Sequence, residues 1–197
     1  MRNALRRLGN VSMVATPALA VALVLCCCAG CKSVVNPFGQ MRPDYRELPV
    51  DAMRALALEI ETAVQAGDRD AQIADREGLV LNETVRAAIR TRAARSALVT
   101  VLLDSGYAFE SGGGLVEIIR SKEYKQNTTG RDRDRNAILV MGENEDRWTI
   151  FEGIMDASSL PPRTRGAVQE IFHDARVQTM PAGQLYEDAS GARQAKQ

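Results

Sequence analysis

The side chains able to do chemistry are few, and the cysteines are the most concentrated of them. All four fall in one stretch, Leu23 to Ser33, which reads LVLCCCAGCKS and holds Cys26, Cys27, Cys28 and Cys31. A zinc site needs spaced thiolates and further ligands elsewhere, and no second ligand set accompanies this cluster. The stretch fits a processing site better. Bacterial lipoprotein signals end in a leucine-like residue, two small residues and the cysteine that receives the lipid. Only Cys31 meets that pattern, with Ala29 and Gly30 before it, although Cys28 stands where leucine is usual. Cleavage before Cys31 removes three of the four cysteines and leaves no disulfide within the mature chain. An uncleaved anchor and ordinary signal cleavage are the alternatives.

Catalytic candidates are sparse in the rest of the chain. His173 is the only histidine. Asp174 beside it diverges by about 100° on a helix and cannot easily orient the ring. The face neighbour is Glu170, so His173 reads as a surface or boundary histidine paired with that carboxylate. Thiol catalysis lacks a free cysteine, and no serine lies in a nucleophile elbow. Glu110 and Glu117 flank the segment GYAFESGGGLV and are the one pair that could act on a glycan such as peptidoglycan. The three glycines form neither a Walker loop nor a dinucleotide turn. No cofactor and no metal site is expected.

The elements that carry these residues begin with a leader. Arg2, Arg6 and Arg7 precede an apolar run from Val11 to Leu25 that is short for a span, which needs roughly 20 apolar residues. Residues 1–30 are therefore a signal peptide, and residues 31–49, with Pro37, Pro43 and Pro49, a lipidated tether. The membrane is the first expected partner, through lipid on Cys31. Lys32 is not the aspartate that retains many lipoproteins in the inner membrane, so the outer membrane, facing the periplasm, is expected, with the inner membrane as the alternative. The whole chain has zero net charge, and loss of the leader's arginines makes it mildly acidic, which argues against nucleic acid.

The expected fold is mainly α: about four helices in a small bundle over residues 50–191, with a Gly-rich loop and a short β-hairpin near the C-terminus. Helix signals run from Pro49 to Gly67 with Asp51 as cap, from Asn82 to Ser105, from about Arg131 to Ala157 with a weak point at Gly142, and from Pro161 and Pro162 to Pro181. Arg86, Arg90, Arg92 and Arg95 read as a solvated face, or as a contact for phosphates or an acidic partner. Ala137, Met141, Asn144, Trp148, Phe151 and Met155 form a helical seam. That seam is ordinary core, or else Met141, Trp148, Phe151 and Met155 enclose a lipid or other apolar ligand. Residues 192–197 read as a disordered tail.

Gly106, Tyr107, Glu110, Gly114 and Leu115 together with Arg135-Asn136, Phe151, Ile154, Leu160, Val168, Ile171, Pro181, Gly183 and Gly191 make an ordered pattern. In this order and spacing the chain resembles the YdbL-like family of small exported Gram-negative envelope proteins, over roughly residues 100–191. It departs from the family where Ala192-Arg193 replaces a closing tryptophan, and the helical region from Pro49 to about Arg92 has no counterpart. The resemblance implies an accessory protein, adaptor or chaperone-like, near large AsmA-like proteins that bridge the two membranes. Tyr107, Glu110, Gly114 and Leu115 are then the expected partner contact.

Overall fold

The computed structural model describes residues 43–197. The signal peptide, Cys31 and most of the tether lie outside the described residues. Helix α1 (Val50–Ala66) ends at Gly67, whose φ of 69° is the left-handed stop its type allows. Asp51 does not cap it, since Pro49 holds the cap position and Asp51 sits in the first turn, where its charge suits the helix dipole. Helix α2 (Glu83–Asp104) starts at Asn82, whose side-chain oxygen accepts from the Val85 N–H at 2.9 Å.

Strands β1 (Ala108–Glu110) and β2 (Val116–Ile118) follow as an antiparallel hairpin around the glycine turn. The short helix α3 (Lys122–Asn127) was not legible in the sequence. Helix α4 (Gly130–Ala157) opens on a reciprocal capping box between Thr129 and Asp132. It runs unbroken through Gly142, over which the Arg95 guanidinium lies, 3.4 Å from where a Cβ would stand. The prolines start a single 3-10 turn, Pro162–Thr164, and helix α5 (Arg165–Thr179) continues from it. Strands β3 (Leu185–Glu187) and β4 (Arg193–Ala195) close the chain as a second hairpin. The tail expected to be disordered therefore supplies β4.

The two hairpins join through a parallel β1–β3 pairing, giving one sheet in the order β2-β1-β3-β4. The fold is mainly α, with five α-helices among the described residues and the expected C-terminal hairpin. The principal core comes from α1, α2, α4 and α5, with Met53, Leu56, Ile60, Val85, Phe151 and Phe172 among its buried members. A smaller cluster of Val99, Leu102, Leu103, Ala108 and Val116 packs α2 on the first hairpin. The last residues of the tether belong to the fold as well. Leu48 joins the core, and Asp44 and Glu47 pair with Arg163.

Candidate functional site

The four residues expected at a partner contact have internal engagements. The Tyr107 ring lies 5.2 Å from that of Tyr124, and its hydroxyl accepts from Asn127 Nδ2 at 2.9 Å. Gly114 has a φ of 74°, and a Cβ there would come within 3.1 Å of the Gln169 carbonyl and 3.3 Å of Phe151. Leu115 packs against the core, and Glu110 is wholly buried. Gly114 and Glu110 thus set the hairpin against α4 and α5 and leave a partner no access to the carboxylate.

Glu110 and Glu117 do not converge. Phe109 is the register partner of Glu117, so Glu117 lies on the face opposite Glu110 and is exposed. Glu110 accepts from Arg147 twice, Nη1 at 2.6 Å and Nη2 at 3.1 Å, and from Arg176 Nε at 2.9 Å. Burial alone would raise its pKa, but the two guanidinium charges outweigh burial and hold the carboxyl at about 2. It is a fixed anion, the opposite of a general acid.

Glu110 is one link in a buried ionic chain. Glu61 on α1 receives two bonds from Arg92 on α2, at 2.7 and 3.0 Å. Arg92 Nε and Arg147 Nε both donate to Oε1 of Glu143 on α4, each at 2.9 Å. Arg147 then forks onto Glu110 of β1, and Arg176 of α5 completes the series. Gln184 extends it, donating to Asp104 at 2.7 Å. The three glutamates and three arginines are each 5% exposed or less, so their signs cancel inside the protein. Glu143 is also held at about 2: burial pushes it up, and Arg92 and Arg147 more than reverse this. The same carboxylates drive the Arg147 guanidinium upward against the effect of burial.

The arginine face read as solvated is thus corrected at Arg92, which is 1% exposed and paired on both sides. Sequence held a signal for this. Glu61 follows Ile60, and Arg92 lies three residues after Ile89 and next to Ala93, all of them core positions. A charge at an apolar position of a helix needs an opposite charge at another such position, because burying it alone is prohibitive.

The α4 seam is corrected in its first half. Phe151 and Met155 are core and Trp148 packs on them, but Met141 is 70% exposed. Asn144 instead bonds both main-chain groups of Val116, at 2.9 Å each. The inward positions of that half belong to Glu143 and Arg147, which turns the Met141 row towards solvent. Met141 therefore shares no chamber with Phe151 and Met155, and the four do not enclose a ligand. His173 is buried and bonds through Nε2 to the Glu187 carbonyl at 2.9 Å, in place of the expected Glu170 pairing.

One surface feature stands apart. Leu98 and Val101 on α2 are 62% and 68% exposed, and Ile138 on α4 is 71% exposed. The two helices are antiparallel neighbours, with Arg95 over Gly142 and Val85 against Gly153. Leu98, three residues after Arg95, and Ile138, four before Gly142, therefore fall at one level of the pair, and Val101 and Met141 each stand three residues further along their own helix. Contiguous exposed apolar side chains mark contact sites, whereas single ones are ordinary. Among the described residues no helix is long and apolar enough to cross a membrane, and no group of acidic, histidine or cysteine side chains is arranged to hold a metal. No protein-family model, curated protein or solved structure matches the chain.

Proposed function

We propose that this chain is a lipid-anchored accessory protein of the bacterial envelope that works by binding a partner protein, as an adaptor or chaperone, without catalysis of its own. The leader and the Ala29-Gly30-Cys31 box support the anchor, and Lys32 directs it to the outer membrane, facing the periplasm. The aliphatic surface of Leu98, Val101, Ile138 and Met141 carries the binding reading. The buried ionic chain supports it by fixing α2 against α4, so the surface is presented in a defined shape. Preorganisation of this kind reduces the ordering cost of association. The partner class is the one the resemblance implies, a large AsmA-like envelope protein.

The test is gentle crosslinking in the native envelope followed by capture, comparing the wild type with Cys31→Ser. A specific large envelope protein recovered with the wild type, and lost with the variant, supports an anchored adaptor. Recovery of glycan fragments or lipid alone sinks the reading.

A further inference from the structure

The aliphatic face of α2 and α4 carries an order of charge along α4. Ile138 stands seven residues after Arg131 and seven before Glu145. Seven residues are two helical turns less roughly 20°, so the three side chains leave the helix on one side. All three are exposed, and Met141 extends the aliphatic middle of the row. Read from its N-terminal end, the row is cation, aliphatic pair, anion. Asp134 and Arg135, one of each sign, lie between its first two members. Arg131 joins no ion pair among the described residues, and residues 1–42 contain no aspartate or glutamate to supply one.

Such a row is its own complement when reversed. Consider a second α4 laid antiparallel across the face, with the two Ile138 side chains opposite each other. Arg131 of each copy then comes level with Glu145 of the other, because both stand seven residues from the centre. The reversal sets Asp134 level with Gly142 and Arg135 level with Met141, so no like charges meet along α4. Leu98 lies at the level of Ile138, and the same two-fold axis therefore brings the two Leu98 side chains together. A parallel pairing instead sets Arg131 against Arg131 and Glu145 against Glu145, which repulsion opposes.

We infer that a second copy of this chain covers the face until an envelope protein takes it, as an antiparallel two-fold dimer centred on Ile138 and Leu98. The inference rests on the reading of this face as a contact surface, and it adds what occupies that surface in the free protein. Monomeric proteins rarely leave a large contiguous aliphatic patch open to water. Two-fold pairing buries one patch twice and is the commonest form of self-association. The paired Arg131 and Glu145 at the rim fix its direction and register.

The full-length chain carrying Ile138→Cys is purified in detergent and mildly oxidised with copper phenanthroline. The unsubstituted chain controls for the native cysteines. Two thiols at the two-fold axis meet, so a disulfide-linked dimer is expected, whereas Glu117→Cys, exposed on the first hairpin, should give none. Adding Arg131→Glu alone, or Glu145→Arg alone, should lower the linked fraction about tenfold or more, and the two together should restore it. These positions are exposed, and circular dichroism checks that each variant is folded. No linked dimer, equal linking through Glu117→Cys, or failure of the double reversal to restore linking would overturn the inference. Capture of an envelope protein by a photo-crosslinker at Ile138, with no linking through Ile138→Cys, would sink the dimer and leave the partner reading standing. Linking that the double reversal restores, with nothing but the chain itself captured at Ile138, would uphold the dimer and sink the partner reading.

Discussion

Arg147 meets Glu110 as a two-pronged fork, Nη1 to Oε2 at 2.6 Å and Nη2 to Oε1 at 3.1 Å, where neither residue is more than 3% exposed. Glu110→Gln keeps the shape but removes the charge between Arg147 and Arg176. Breaking a buried pair from one side costs about 3–5 kcal/mol, because the remaining charge stays buried without its partner. Glu117→Gln, on the exposed side of the hairpin, should change stability by less than about 0.5 kcal/mol. Urea unfolding of the two variants checks the contrast, and equal midpoints would contradict it.

Acid should loosen the fold late. Glu110 and Glu143 both titrate at about 2, below the ordinary glutamate value of 4.5, because paired guanidinium groups overcome the opposing effect of burial. On acidification the unfolded chain therefore takes up protons first. The stabilisation from these two carboxylates is complete above the unfolded value and drains away between about pH 5 and pH 2. Unfolding free energies measured across that window should fall steeply towards its acid end. A flat profile down to about pH 2 would show that the ion pairs contribute nothing to stability.

Gly153 lets α4 pass close to α2. A Cβ at this position would lie 2.5 Å from Cγ2 of the fully buried Val85. Gly153→Ala should cost about 1–3 kcal/mol as overpacking, despite the better helix propensity of alanine. Combining it with Val85→Ala should recover part of that loss, and a double-mutant cycle measures the coupling. Simple additivity of the two changes would exclude the close approach.

Lipid attachment at Cys31 is open to direct observation. Intact-mass analysis of membrane-extracted protein should find a chain beginning at Cys31 and carrying acyl mass. Cys31→Ser should abolish both the added mass and the cleavage. An acylated species in the serine variant would assign the lipid elsewhere.

The long elements were legible in sequence because their signals are local. Asn82 with its apolar spacing, Gly67 after Val64, and the paired prolines all act within a turn or two of the residues they govern. The sheet was not legible in full, because each strand is only three residues long and β1–β3 pairs segments far apart in the chain. The ionic chain was missed for a related reason. Glu61 and Arg92 stand among core positions of their helices, but which opposite charge meets each is fixed only once the partner helix is placed against it. Arg92 has Glu61 from 31 positions earlier and Glu143 from 51 positions later. Glu110 was picked out by sequence, but its role as a buried anion depends on Arg147 and Arg176, which no spacing linked to it. Met141 failed as a core residue because Glu143 and Arg147 hold the inward row of that half-helix.

The claim that the outer surface of α2 and α4 receives a protein partner is tested most directly by a photo-crosslinking amino acid at Leu98 or Ile138 in living cells. The two positions are 62% and 71% exposed, so the substitutions should leave the fold intact. Both should capture the same envelope protein upon illumination, while the same group at the exposed Glu117, on the first hairpin, should not. Capture at Glu117 and none at Leu98 or Ile138 would contradict the account.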